Sequence, residues 1–282
     1  MEAPGQDNPL DLAHDLANAP LAEAFARAAV AAGAVIMEVY GRDFTMRAKK
    51  DATPVCEADE RSEALILTHL EKACPGVPVV AEEAFSRGDV PVLTGDFILV
   101  DPLDGTREFA RRNGEFTVNI ALIRNGAPVC AALYAPAFGR LWLAAGKALA
   151  CQALPGGEVP PLSAMRQIHV RKIAPTGPVA AVSRSHRNAE TEALMTRLGA
   201  TEMREAGSAM KFCLIAEGEA DVYPRIGPTM EWDIAAGDAV LRAAGGMVTG
   251  LDGAPVRYGR AGAGFASPDF VAFGDPSQIV KL

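Results

Sequence analysis

Apolar positions in the first third of the chain follow a helical period. Leu21, Phe25, Ala28, Ala32, Val35, Ile36 and Val39 recur at that spacing behind Pro20, which predicts one long amphipathic helix with proline in its first turn. Arg42 to Lys50 reads as an exposed strand or hairpin arm leading into Asp51-Ala52-Thr53-Pro54. A second helix is expected from about Glu57 to Ala73, stopped by Pro75-Gly76. The pattern then shortens. Val77 to Ala81 forms a strand ending at Glu82-Glu83, and Phe97-Ile98-Leu99-Val100 is a continuous apolar run that stops at Asp101, as a strand buried on both faces would. Phe116, Val118, Ile120 and Leu122 alternate with Thr117, Asn119 and Ala121. Asn125-Gly126 supplies a hairpin turn, Val129 to Tyr134 returns, and Leu141 to Ala145 adds a further strand.

Glycine and proline concentrate between Cys151 and Pro161, which places a lobe boundary there: residues 1–155 form an N-terminal α+β lobe and 156–282 a C-terminal α/β lobe. In the second lobe strands are expected over 179–183 and 221–223. Helices are expected over 188–198, 208–216 and 234–244, the last closed by Gly245-Gly246. The fold class is α+β, with a largely antiparallel sheet first, and not a simple βαβ repeat.

Charge narrows the function. With 27 Lys and Arg against 35 Asp and Glu in 282 residues, the net charge of −8 disfavours a nucleic-acid groove. A small phosphate ester is not excluded, because bound cations can invert a local field. Cys56, Cys74, Cys130, Cys151 and Cys213 are odd in number and lack CxxC spacing, so reduced thiols are expected instead of disulfides or zinc. The N-terminal segment has no basic leader, and no apolar run is expected to reach the length of a membrane span. The expected location is cytoplasmic, without an integral membrane segment.

The sharpest chemical feature is Asp101-Pro102-Leu103-Asp104-Gly105-Thr106 at the end of a buried strand. Two carboxylates three residues apart, with the Leu103 carbonyl between them, suit hard divalent cations such as Mg²⁺. Gly105 lets backbone amides approach a phosphate, and the Thr106 hydroxyl can orient water. A tight turn with helix-capping aspartates is the alternative. Phosphatases that use a nucleophilic aspartate carry two aspartates two apart, so the spacing here rejects a phospho-aspartate route. Glu82-Glu83 after an apolar strand repel each other unless a cation or solvent intervenes, and taken alone they read first as a solvated loop. Asp233 before the 234–244 helix, and Asp59 in the first turn of the 57–73 helix, are open to reading as simple caps.

Together these segments resemble the inositol monophosphatase-like superfamily of metal-dependent, lithium-sensitive phosphatases. The resemblance rests on Val55-Cys56-Glu57-Ala58-Asp59, Glu82-Glu83, Asp101 to Thr106, and Trp232-Asp233-Ile234-Ala235-Ala236-Gly237, in that order across roughly residues 50–250. Within the superfamily, Phe109 to Asn119, Ser183-Arg184-Ser185-His186, Gly207 to Leu214 and Tyr223-Pro224-Arg225 resemble the bacterial 3′(2′),5′-bisphosphate nucleotidases.

The resemblance implies a layered αβαβα sandwich with a smaller mixed sheet in the second lobe. It implies that Glu82, Asp101, the Leu103 carbonyl, Asp104 and Asp233 hold two or three Mg²⁺ ions, with Thr106 orienting a nucleophilic water assisted by Asp59 and Glu82. It implies that a small phosphorylated nucleotide contacts Glu82, Leu103, Asp104, Gly105, Thr106, His186, Ser208, Lys211, Arg225 and Asp233. Hydrolysis would be in-line, without a covalent intermediate. Cys56 departs from the threonine usual in relatives, which puts the support of Asp59 in question. An inositol or sugar monophosphatase is the alternative activity, and a non-catalytic metal or nucleotide sensor the alternative class. The superfamily is often dimeric, and some members of this branch sit peripherally on the cytoplasmic side of the inner membrane.

Overall fold

The structure, a computed structural model, describes residues 18–48, 54–184, 188–200 and 202–279. Helix α1, Ala19–Tyr40, carries Pro20 in its first turn and buries the stripe of Phe25, Ala29, Ala32, Ile36 and Val39. By length and composition α1 could cross a membrane, against the expectation that no apolar run reaches that length. Half of that apolar window is buried inside the protein, as in a core helix. Its small residues allow close packing: a Cβ at Gly33 would lie 2.4 Å from the Tyr134 ring.

Arg47–Ala48 (β1) pairs antiparallel with Pro54–Val55 (β2); residues 42–46 are not strand, and 49–53 lie outside the described residues. Helix α2 is Glu57–Ala73 and strand β3 is Val79–Ala81. Glu82-Glu83 do not sit in a loop but open a short helix, α3, Glu82–Arg87. Strand β4, Phe97–Asp104, is longer than the apolar run suggested. It continues through Asp101-Pro102-Leu103-Asp104, with a register shift between Asp101 and Asp104 that re-aims the two carboxylates. Helix α4, Thr106–Ala110, follows. Strands β5 (Thr117–Arg124), β6 (Ala127–Ala135), β7 (Arg140–Ala144), β8 (Ala148–Gln152) and β9 (Arg166–Gln167) complete a seven-stranded sheet ordered β3-β4-β5-β6-β7-β8-β9. Only β3 and β4 pair in parallel. Because β9 returns to this sheet, the passage to the second one runs through residues 168–178, beyond the Gly/Pro-rich stretch.

The second sheet is smaller and mixed. It contains β10 (Val179–Ser183), β11 (Glu202–Ala206), β12 (Val222–Arg225), β13 (Met247–Gly250) and β14 (Phe270–Phe273), ordered β11-β10-β12-β14-β13. The first three run in parallel and the rest are antiparallel. Its helices are α5 (Ala189–Arg197), α6 (Met210–Ala216) and α7 (Glu231–Ala243).

Alternation along the strands sorts the apolar residues into three cores. One buries α1 and α2 against the outer face of the first sheet, through Phe25, Ile36, Ile66 and Ile98. The central core packs α6 and α7 between the two sheets, through Phe212, Trp232, Leu99 and Phe270. The third covers the far face of the second sheet with Leu194 and Met195 of α5. The layers therefore run α, β, α, β, α, as the resemblance implied.

Candidate active site

Where β4, α3, α6, β12 and α7 converge, they enclose a cleft of about 230 Å³. Glu82, the first residue of α3, lines it beside Asp101, Leu103 and Asp104 from the end of β4. Gly105 turns the chain at φ +90°, and a Cβ there would lie 3.0 Å from the Glu115 carbonyl oxygen, so both the turn and the close approach require glycine. Thr106 then begins α4 on the cleft wall. From the other lobe come Ser208, Lys211, Arg225 and Asp233.

Two expected members are not on this wall. Asp59 is buried in the first turn of α2, where its Oδ2 accepts from the Cys56 backbone amide at 2.9 Å and from Cys56 Sγ at 3.1 Å. His186 lies outside the described residues.

Three of the four carboxylates are oriented by hydrogen-bond donors. Asp101 Oδ1 accepts from the Leu103 amide at 3.0 Å, and Asp104 Oδ2 from Ser208 Oγ at 2.6 Å. Asp233 Oδ2 accepts from Thr229 Oγ1 at 2.8 Å and the Met230 amide at 2.9 Å, the capping contact predicted for a helix start. A cap and a cleft-facing ligand are thus compatible roles, because a carboxylate has a second oxygen.

Burial pushes the Asp101 carboxyl well above the usual carboxylate range, and the charges of Glu82, Asp104 and Asp233 push it further. Burial also raises Asp104, against a lowering by the Ser208 hydroxyl. Asp233 is pushed up to about 7 by burial and by Asp104 and Glu82.

Among the described residues, no three acidic, histidine or cysteine side chains already stand close enough to cage a metal ion. The donor chemistry nevertheless fits a divalent cation. Four carboxylates and a carbonyl form an all-oxygen set, and the mutual repulsion among the buried acids is what a cation would relieve.

The basic residues differ from simple surface charges. Lys211 is buried, with its ammonium 5.1 Å from the Tyr223 ring centre, and it donates to the Ser208 and Ala206 carbonyls. Burial lowers it to about 8, while Asp104 holds it up. Arg225 Nη2 donates to the Pro228 carbonyl at 2.8 Å, and its buried Nε has no partner among the described residues. Arg184, next to Ser183 of the cleft wall, grips Glu115 through two 3.0 Å contacts. Sequence reading missed Thr117, which lies 2.5 Å from Ser208 Oγ. Its only signal was an inward polar position in an alternating strand.

A cleft lined with carboxylate and carbonyl oxygens thus lies between a largely antiparallel sheet and a mixed one. Residues 17–272 match the family model described as the inositol monophosphatase family, and the chain belongs to that family. It is 42% identical over 230 residues to the 3′(2′),5′-bisphosphate nucleotidase CysQ of Escherichia coli (strain K12), covering 80% of this chain and 89% of that protein. The corresponding CysQ of Aggregatibacter actinomycetemcomitans is 30% identical over 238 residues, covering 82% and 84%. Among solved structures, CysQ from Bacteroides thetaiotaomicron, a bacterial member of the inositol monophosphatase family, superposes with a TM-score of 0.75 at 35% identity, covering 90% of this chain and 97% of that one. An inositol monophosphatase from Anabaena shares the fold at a TM-score of 0.69 and 24% identity, covering 92% of each chain.

Proposed function

We propose that the chain is a Mg²⁺-dependent phosphomonoesterase that removes the 3′-phosphate of adenosine 3′,5′-bisphosphate, and of 3′-phosphoadenylyl sulfate. The observation that carries this reading is the joint presence, in one cleft, of four carboxylates and the Ser208, Lys211 and Arg225 side chains. The 42% identity to a 3′(2′),5′-bisphosphate nucleotidase supports the substrate class.

Glu82, Asp101, the Leu103 carbonyl, Asp104 and Asp233 would hold the cations, two or three per cleft. Bound there, Mg²⁺ supplies neutralising charge for the phosphate and acidity for water. Thr106 Oγ1 lies 3.4 Å from the Leu103 carbonyl oxygen and donates to it, which leaves its lone pairs to accept a hydrogen bond from the attacking water and orient it. Asp59, held by its two Cys56 donors, assists from behind. Lys211 and Arg225 furnish the cationic side of the cleft for the second phosphate, Ser208 borders it, and His186 is assigned to the nucleotide by sequence alone. The five unpaired thiols support work in a reducing cytoplasm.

Phosphate release in Mg²⁺ from adenosine 3′,5′-bisphosphate and from inositol 1-phosphate tests the reading. The bisphosphate should be hydrolysed faster; the reverse ranking would make the enzyme an inositol phosphatase, and no release from either would remove the catalytic reading.

A further inference from the structure

The hydrogen bonds that end at Asp104 admit one direction only. Ser208 Oγ is 2.6 Å from Asp104 Oδ2, and the carboxylate, ionised as it must be to hold a cation, only accepts, so the single Ser208 hydroxyl proton points there. Thr117 Oγ1, 2.5 Å from Ser208 Oγ, must then be the donor of that pair. Yet Thr117 Oγ1 also lies 2.9 Å from the atom placed as Asn119 Oδ1, and one hydroxyl proton cannot serve both. Asn119 shows the complementary fault: its buried Nδ2 has no partner among the described residues. Turning the Asn119 amide over, which its near-identical oxygen and nitrogen allow, frees the Thr117 proton and gives the nitrogen a partner, leaving the carbonyl oxygen, the less costly atom to leave unpaired, at the other position. Nδ2 then donates to Thr117, and Thr117 donates to Ser208.

We propose that Thr117 and Asn119 are positioning residues for the reaction, forming a one-way relay from Asn119 Nδ2 through Thr117 Oγ1 and Ser208 Oγ to Asp104 Oδ2. Both are fully buried in β5 and neither lines the cleft, so they act through Ser208 and Asp104 and not on substrate. The relay crosses from the first sheet to the loop before α6, between residues 91 apart in sequence. It holds one Asp104 oxygen against the second lobe, and so fixes how the other is presented to a cation. The fixed hydroxyl of Ser208 ties the nucleotide side of the cleft to the cation side. This inference rests on the proposed function only in taking Asp104 as a Mg²⁺ ligand.

The test is calorimetric titration of the protein with Mg²⁺ alone, alongside the Mg²⁺ dependence of phosphate release. Thr117→Val keeps the side-chain shape and removes the hydroxyl; it should weaken Mg²⁺ binding about tenfold, the scale of a lost hydrogen bond to a charged group's partner. Thr117→Ser should restore binding to within about threefold. Unchanged Mg²⁺ affinity in Thr117→Val overturns the relay, as does equal loss in both variants, which would mark a packing role. The expected Val and Ser pattern in Mg²⁺ binding, without bisphosphate hydrolysis by the wild type, would uphold the relay and overturn the proposed function. Should Thr117→Val fail to fold, neutron diffraction from deuterium-exchanged wild-type crystals decides. A deuteron on Thr117 Oγ1 directed at Ser208 supports the relay; one directed at Asn119 refutes it.

Discussion

Cys56 Sγ lies 3.1 Å from Asp59 Oδ2, in the position of the capping side chain that opens α2. Burial first, then the neighbouring Asp59 charge, raises the thiol to about 12, so it keeps its proton and donates as a hydroxyl would. A cysteine can therefore occupy a threonine's place without orphaning Asp59. Cys56→Thr should leave kcat within about twofold, whereas Cys56→Ala should lower kcat and cost roughly 1 kcal/mol of stability through the lost cap. Initial rates and thermal melts of the two variants check this. An alanine variant as active and stable as the wild type would show that the thiol supports nothing.

Asp101 distinguishes function from stability. It is buried among carboxylates that repel its charge. Asp101→Asn retains an oxygen to accept from the Leu103 amide, as Oδ1 does now at 3.0 Å. The variant should lose activity by orders of magnitude, yet its metal-free form should melt higher than the metal-free wild type, since the cost of burying or protonating that carboxylate has been removed. Steady-state kinetics and melts in chelator read the two effects separately. A variant with near-normal Mg²⁺-dependent turnover would remove Asp101 from the cation set.

The same repulsion gives a pH dependence of definite sign. Asp101, Asp104 and Asp233 are all raised in the fold above ordinary carboxylate values, Asp233 to about 7. The metal-free fold therefore binds more protons than the unfolded chain, and the stabilisation from protonating these groups is lost as pH rises through about 7. In chelator, the melting temperature should rise on acidification from about pH 8 to about pH 6. Because Mg²⁺ displaces the same protons, its stabilising increment should shrink over that interval. Scanning calorimetry at both pH values, with and without Mg²⁺, tests the pair of trends. A Mg²⁺ increment independent of pH would contradict them.

How much of this was legible beforehand depended on whether a residue's partners lie near it in sequence. The α2 helix could be read to its ends, because its periodicity and the Pro75-Gly76 stop are local. Its capping acid Asp59 could be named too, but not the Cys56 thiol bond that occupies it. Strands β13 and β14 were missed. Each has only four residues and is defined by pairing with the other across more than a dozen intervening positions. The helix opened by Glu82 escaped notice because two adjacent acids after a strand carry no apolar period. Lys211 was read as a phosphate contact, whereas its burial and its two carbonyl partners appear only once β11 and α6 meet. Thr117 is the extreme case, since nothing within its own strand announces a partner in the other lobe.

Arg225 offers a test of the nucleotide side. One of its terminal nitrogens is taken by the Pro228 carbonyl, while Nε is buried without a partner among the described residues. A buried, unpaired donor on a cation is costly, and an anionic oxygen arriving in the cleft would satisfy it. Arg225→Lys preserves the charge but removes the planar donor set, so the phosphate could no longer be gripped at Nε. The KM for adenosine 3′,5′-bisphosphate should rise about tenfold or more, the scale of a charge-assisted hydrogen bond, with a smaller change in kcat. A substrate with a single phosphate should be much less affected, because the contact serves the phosphate that is not cleaved. If KM rose equally for mono- and bisphosphates, Arg225 would instead be gripping the group that leaves, and the orientation of the nucleotide in the cleft would have to be reversed.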